Sequence, residues 1–166
     1  MPIHSRPQRA KINCRDVKTL SKKCKYALEA LYYLSREYGK GPVLIGTMAE
    51  RQAIPHKFLE VILLELRHNG LVDSKKGRRG GYFLAVPPDT VTIGSVVRFI
   101  DGPLAPLPCA SETAYRKCEE CVDESRCGTK MVMRQVRDAI AAILDHTTLA
   151  DVCARSAADP ELMYYI

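Results

Sequence analysis

The chain has 166 residues, 46% of them hydrophobic and 27% charged, with a formal net charge of +6. That is material for one compact domain, or a small domain with an appendage, and the positive balance favours polyanionic partners, nucleic acid above all. No apolar run reaches the roughly 20 residues of a bilayer-crossing helix and the first residues lack a secretory h-region, so a cytoplasmic protein without a membrane partner is expected.

Residues 1–18 read as a disordered basic leader: Met1 to Lys25 holds eight Lys/Arg and a single acid, Asp16. Order is expected from Thr19, with Ser21 capping a helix whose stripe is Tyr26, Ala27, Ala30, Leu31 and Leu34. Gly39, Gly41 and Pro42 end it. A short helix over Ile45–Arg51, a turn at 52–55 and a second helix from Pro55 to His68 form a helix-turn-helix. Phe58, Leu59, Ile62, Leu63 and Leu66 make the inward stripe of that second helix, and Asn69-Gly70 closes it.

Two strands follow, Leu71–Lys75 and Tyr82–Ala85, joined by a basic, glycine-rich tip. A helix-turn-helix followed by such a hairpin is a winged helix. Its second helix enters a major groove N-terminus first, which brings His56, Lys57 and Glu60 to base edges. Arg67, Lys75 and Lys76 are placed for phosphates, and Arg78 and Arg79 for the minor groove. Any one of these side chains is equally what a solvated surface requires. Their ordered combination is what points to double-stranded DNA.

After Pro87-Pro88, "TVTIGSVVRFIDGPL" reads as a short helix capped by Thr92. A cysteine-rich loop comes next, with helical content limited to one turn and five acids between Cys109 and Cys127. A long helix over about 128–145 aligns Val132, Val136, Ile140 and Ile143, and "TTLADVCARS" gives a short capped helix before a tail. An amphipathic helix after a finished domain needs a surface to cover it. A second copy suits this role, because a two-fold dimer matches pseudo-palindromic operators.

Seven cysteines in a reducing compartment read as metal ligands or redox thiols before structural disulfides. Four of them, Cys109, Cys118, Cys121 and Cys127, fall within 19 residues. They suit an iron–sulfur cluster, a structural zinc or a thiol–disulfide switch, and spacing alone does not separate these. Cys14 and Cys153 read as incidental, Cys153 as a small core residue. A CxxC oxidoreductase would need a βαβ setting, which the pattern lacks, so no enzyme is expected.

The stretches "LSKKCKYALEALYYL", "MAERQAIPHKFLEVILLELRHNGLV", "KGRRGGYFLA" and "TIGSVVRFIDGP", then a cysteine loop, a long helix and "TTLADV", resemble the Rrf2 family of bacterial winged-helix regulators, the group of IscR, NsrR and RirA. The resemblance spans about residues 19–152. It implies a mainly α fold with a small β-hairpin: a winged helix-turn-helix (19–100), a cysteine-rich sensor loop (101–127), and a dimerisation helix with a short C-terminal helix (128–155), before a tail at 156–166. It also implies a homodimer crossed through the long helix and a transcription regulator, in the main a repressor, sensing iron, redox state or nitric oxide through a 2Fe–2S or 4Fe–4S cluster. In the family three loop cysteines are ligands; Cys121 and Cys127 keep the usual spacing, and Cys109 and Cys118 compete for the first place. Some 2Fe–2S members use a histidine three residues after the last cysteine, where this chain has Lys130. The fourth ligand is then the extra loop thiol or a group from the partner's first helix, where Cys24 is an outside candidate. Zinc, or a cofactor-free thiol switch, remains the alternative.

Overall fold

The computed structural model describes residues 20–119 and 121–158. The expected basic leader with Cys14, and the last eight residues of the expected tail, lie outside the described residues. Among those described, the chain forms six α-helices, one 3-10 turn and a two-stranded hairpin.

Helix α1 spans Lys22–Arg36, and Ser21 is its cap: the hydroxyl accepts the Cys24 amide N–H at 3.0 Å. This satisfies one of the orphan donors of the first turn. Its buried face holds Ala27, Ala30, Leu31 and Leu34 as expected, and also Cys24, Leu28 and Tyr33. Helix α2, Ile45–Arg51, and helix α3, His56–His68, form the helix-turn-helix. Ala53 in the turn adopts φ 50°, a left-handed conformation that lets the chain reverse so tightly. Pro55 stands just outside α3 as its cap instead of opening it.

Leu59, Ile62, Leu63 and Leu66 of α3 are fully enclosed, packed with Leu31 and Leu34 of α1. Phe58 departs from the expected inward stripe and is 37% exposed. It lies about 100° round the helix from Leu59, at the rim of the buried face, where its ring meets Tyr26 edge to face at 5.7 Å.

Strands β1, Val72–Lys75, and β2, Gly81–Leu84, pair antiparallel with Val72 opposite Leu84 and Lys75 opposite Gly81. Val43 adds a bridge to Tyr82 through two 2.8 Å backbone hydrogen bonds, so the hairpin is anchored to the segment before α2. Helix α4, Ile93–Asp101, is capped by Thr92 as expected. The 3-10 turn at Pro108–Ala110 opens the cysteine loop, and helix α5 runs Gly128–Leu144. Helix α6, Leu149–Ala158, turns back onto α1, with Leu149 fully buried in the main core. Backbone hydrogen bonds from Ile93 to Thr147 and from Leu149 to Val91 tie the starts of α4 and α6 together.

On α5 the expected stripe divides. Ile140 is half-buried against the chain's own fold, whereas Val132, Val136 and Ile143 are 44%, 38% and 67% exposed.

Candidate nucleic-acid interface and thiol cavity

The face of α3 opposite its buried stripe carries Lys57, Val61, Leu64 and His68, all exposed, with Glu60 beside them. Lys57 Nζ and His56 Nδ1 stand 3.3 and 3.5 Å from the Glu60 carboxylate, so the three side chains expected at base edges form one charged cluster at the helix start. Arg67, expected at phosphates, is exposed. Its Nε lies 3.3 Å from Asp73 on β1, which braces the wing against α3. Lys23 pairs with Glu65 at 2.5 Å and braces α1 against α3 in the same way.

Lys75, Lys76, Arg78 and Arg79 are exposed along the wing and form no ion pair with other described residues. The wing glycines serve the fold first. A Cβ on Gly80 would stand 2.2 Å from the Lys75 carbonyl oxygen, and one on Gly81 2.3 Å from that of Val43. The tip folds tightly on itself and β2 passes directly under the Val43 bridge, which only glycine permits.

The structure brings the four loop cysteines to one cavity of about 270 Å³, which Cys109, Cys118, Cys121 and Cys127 line together with Leu107, Glu124, Thr129 and Lys130. They fall into two pairs. The Cys118 thiol stands 3.7 Å from Cys109 Sγ, and Cys121 interacts with Cys127. Among the described residues no three of the His, Cys, Asp and Glu side chains already meet at a single coordination point. The hydrogen bond to Cys109, then burial and the neighbouring thiols, raises the Cys118 pKa; burial and then the charge of Cys127 do the same for Cys121. Crowded thiols resist ionisation unless a cation joins them. Cys127 is also the cap of α5, its sulfur accepting the Lys130 amide N–H at 3.4 Å.

Two charged groups, Glu124 and Lys130, line this cavity, and Tyr115 bonds to Glu124 from outside its lining. Glu124 accepts hydrogen bonds from both Lys130 Nζ and Tyr115 Oη, and Lys130 Nζ lies 5.4 Å from the centre of the Tyr115 ring. The Lys130 ammonium, followed by the Tyr115 hydroxyl, holds the Glu124 carboxyl below the usual range, and the same carboxylate pushes Tyr115 up to about 12. Arg137 is the element that sequence reasoning missed. It is 8% exposed on α5, donates to the Ala110 carbonyl at 2.6 Å and lies 3.0 Å from Glu112 and 2.5 Å from Asp138. It therefore clamps the turn that carries Cys109 onto α5. The available signal was a charge four residues after Met133 and three before Ile140, on the inward side of an amphipathic helix.

The other cysteines stand apart. Cys24 is fully buried, and burial followed by the Asp101 carboxylate pushes its thiol up to about 11. That leaves it a neutral core thiol in its own chain, a poor candidate for a ligand in a partner's site. Cys153 is half-buried and donates to the Tyr32 carbonyl at 3.7 Å.

A helix-turn-helix with a basic wing, joined through a thiol-lined loop to a partly uncovered helix, defines a winged-helix regulator. The model of the Rrf2 family, described as iron-dependent transcriptional regulator, matches residues 20–155, and the chain belongs to that family of transcriptional regulators. It is 43% identical over 138 residues to an rrf2-like HTH-type transcriptional regulator of Rhodobacter capsulatus, covering 81% of this chain and 92% of that one. CymR, the global cysteine regulator of B. subtilis, has a solved structure that matches with a TM-score of 0.71 at 29% identity, over 84% of this chain and 98% of its own. The structure of T. potens IscR matches with a TM-score of 0.66 at 32% identity, over 92% and 100% respectively. The expected fold class is the one these neighbours share. Among the described residues no helix is long and apolar enough to cross a membrane.

Proposed function

We propose that this chain is a homodimeric, DNA-binding repressor whose loop cysteines Cys109, Cys118, Cys121 and Cys127 hold an iron–sulfur cluster. The observation that carries the reading is the convergence of these four thiols on one cavity, between the loop and the start of α5. Two sulfur ligands of one tetrahedral metal, each at about 2.3 Å, lie about 3.8 Å apart; Cys109 and Cys118 stand at 3.7 Å. Grouping two and two favours a 2Fe–2S cluster, in which each iron takes two protein ligands. Lys130 is engaged by Glu124 and gives no imidazole-like donor, so the extra loop thiol completes the set. The Lys130 backbone N–H, donated to Cys127 Sγ, makes the kind of hydrogen bond that tunes a cluster thiolate. When bound, the cluster would supply sensitivity to iron supply, oxidant or nitric oxide.

The protein's own residues transmit the state of the cavity. Arg137 joins the Cys109 turn to α5, and the exposed Val132, Val136 and Ile143 give α5 an apolar surface for a second copy. A change at the thiols then alters how the two copies set their α3 helices on duplex DNA. There His56, Lys57 and Glu60 meet base edges, Lys75 and Lys76 meet phosphates, and Arg78 and Arg79 of the wing enter the minor groove. Only a free-energy difference between two arrangements can switch affinity, and about 2–3 kcal/mol gives roughly 30- to 150-fold.

A thiol–disulfide switch is the second reading, favoured by the same Cys109–Cys118 proximity. Anaerobic purification with iron and sulfide analysis separates the two, and zinc with them. Brown protein with stoichiometric iron and sulfide, whose colour and DNA affinity change in Cys121→Ala, is the expected result. Colourless protein in which an oxidant joins Cys109 to Cys118 would transfer the assignment to the switch.

A further inference from the structure

The most exposed line of α3 is not uniformly polar. At 3.6 residues per turn, Lys57, Val61, Leu64 and His68 fall within about 60° of one another, directly opposite the enclosed Leu59, Ile62, Leu63 and Leu66. Val61 is 56% and Leu64 47% exposed, and Lys57 extends fully beside them. Two branched apolar side chains thus occupy the centre of the surface that a recognition helix presents. Lys57 and the His68 imidazole flank them on the same line, with the Arg67 guanidinium at its edge and the basic wing residues beyond. Such a setting suits a polyanion and disfavours a second copy of a chain whose net charge is +6.

The chemistry of the major groove then narrows the occupant. Every base edge there offers hydrogen-bond donors or acceptors, and the one apolar feature is the C5-methyl of thymine. Resting on the DNA-binding reading above, we infer that Val61 and Leu64 are specificity-determining residues that pack against thymine methyl groups, so that each operator half-site requires thymine at the positions they face. Glu60 sits one residue from Val61 with its carboxylate partly satisfied by Lys57 and His56. It is suited to accept from a cytosine amino group next to the thymine contact.

The test starts with the full-length protein and a randomised duplex library, from which a binding sequence is selected in whichever redox state binds best. Each thymine of a selected half-site is then replaced by deoxyuridine, which removes the methyl and nothing else. One or two positions should each lose about three- to fivefold in affinity. Val61→Ala and Leu64→Ala alter exposed side chains and should leave the thermal midpoint unchanged. In the matching variant, the deoxyuridine penalty should disappear while the remaining positions keep theirs. Selective binding indifferent to deoxyuridine everywhere, or an undiminished penalty in both variants, would overturn the thymine assignment and leave the DNA-binding reading standing. Failure of the selection to yield any preferred sequence would sink both.

Discussion

Between α1 and α3, Leu31, Leu59, Ile62, Leu63 and Leu66 have no exposed surface, while on α5 Met131, Val132, Val136 and Ile143 are 38–67% exposed. The first region closes its core with one chain. The second is held to the first by a few polar contacts and by Leu104 and Leu144, which pack on the core, and it leaves an apolar face uncovered. The lesson is about where a regulator stores its conditional stability. On the reading proposed above, the winged helix should keep its shape whatever the state of the loop, and the loop and α5 should gain stability from what they bind.

The widest test of that contrast sets one buried residue against one exposed residue. Leu63→Ala should cost about 2–5 kcal/mol, through lost transfer energy and the cavity left behind. Ile143→Ala should shift the stability of the single chain by less than about 0.5 kcal/mol. Its effect should fall on association, seen as a higher dimer dissociation constant in sedimentation equilibrium. Equal losses of fold stability in the two variants would mean that α5 is as integrated as α3, and the contrast would fail.

The winged half was also the legible half. Ser21 and Thr92 were readable as caps, because a hydroxyl three residues ahead of an unpaired amide is a local signal. The hairpin followed from its flanking strands and glycines. Phe58 was not, since a residue at the edge of an amphipathic stripe is decided by what stands opposite, here Tyr26. The wing glycines were legible as a turn, but the Val43 carbonyl that demands Gly81 lies 38 residues earlier in the chain. In the cysteine half, composition alone exposed the four thiols. Their two-and-two grouping and the Arg137 clamp depend on contacts across the loop that no periodicity encodes.

A middle-sized effect is expected at that clamp. Arg137→Met keeps much of the side-chain volume and removes every hydrogen bond to Ala110, Asp138 and Glu112. A buried carbonyl left without its partner costs about 1–3 kcal/mol. The loss should be local: the Cys109 thiol should react several-fold faster with a maleimide and the loop should be cut sooner by protease, while the main unfolding transition moves little. Arg137→Lys retains charge without the planar fork and should fall between. A uniform fall in stability with no change at Cys109 would argue that Arg137 supports α5 alone.

The smallest expected effect lies at the seam between the regions, where Arg98 of α4 donates to both carboxylate oxygens of Asp145, the cap of α5, at 2.5 and 2.8 Å. The Arg98 guanidinium, through these hydrogen bonds first, holds the Asp145 carboxyl below its ordinary value of 3.8. A depressed folded-state value means stabilisation that is complete above 3.8 and is lost as the pH falls through the lower folded value. The pair is more than one-third exposed, so the gain at neutral pH should stay below about 1 kcal/mol and shrink with salt. Asp145→Asn should accordingly be slightly less stable at pH 7 and should converge with the unaltered protein on acidification. Gly94→Ala approaches the same seam from the backbone, because its Cβ would fall 2.0 Å from Asp145 Oδ1 and displace the carboxylate. If that variant keeps the full pH response, the acid sensitivity belongs to another carboxylate, and the two halves are joined by the backbone bonds of α4 and α6 without help from this ion pair.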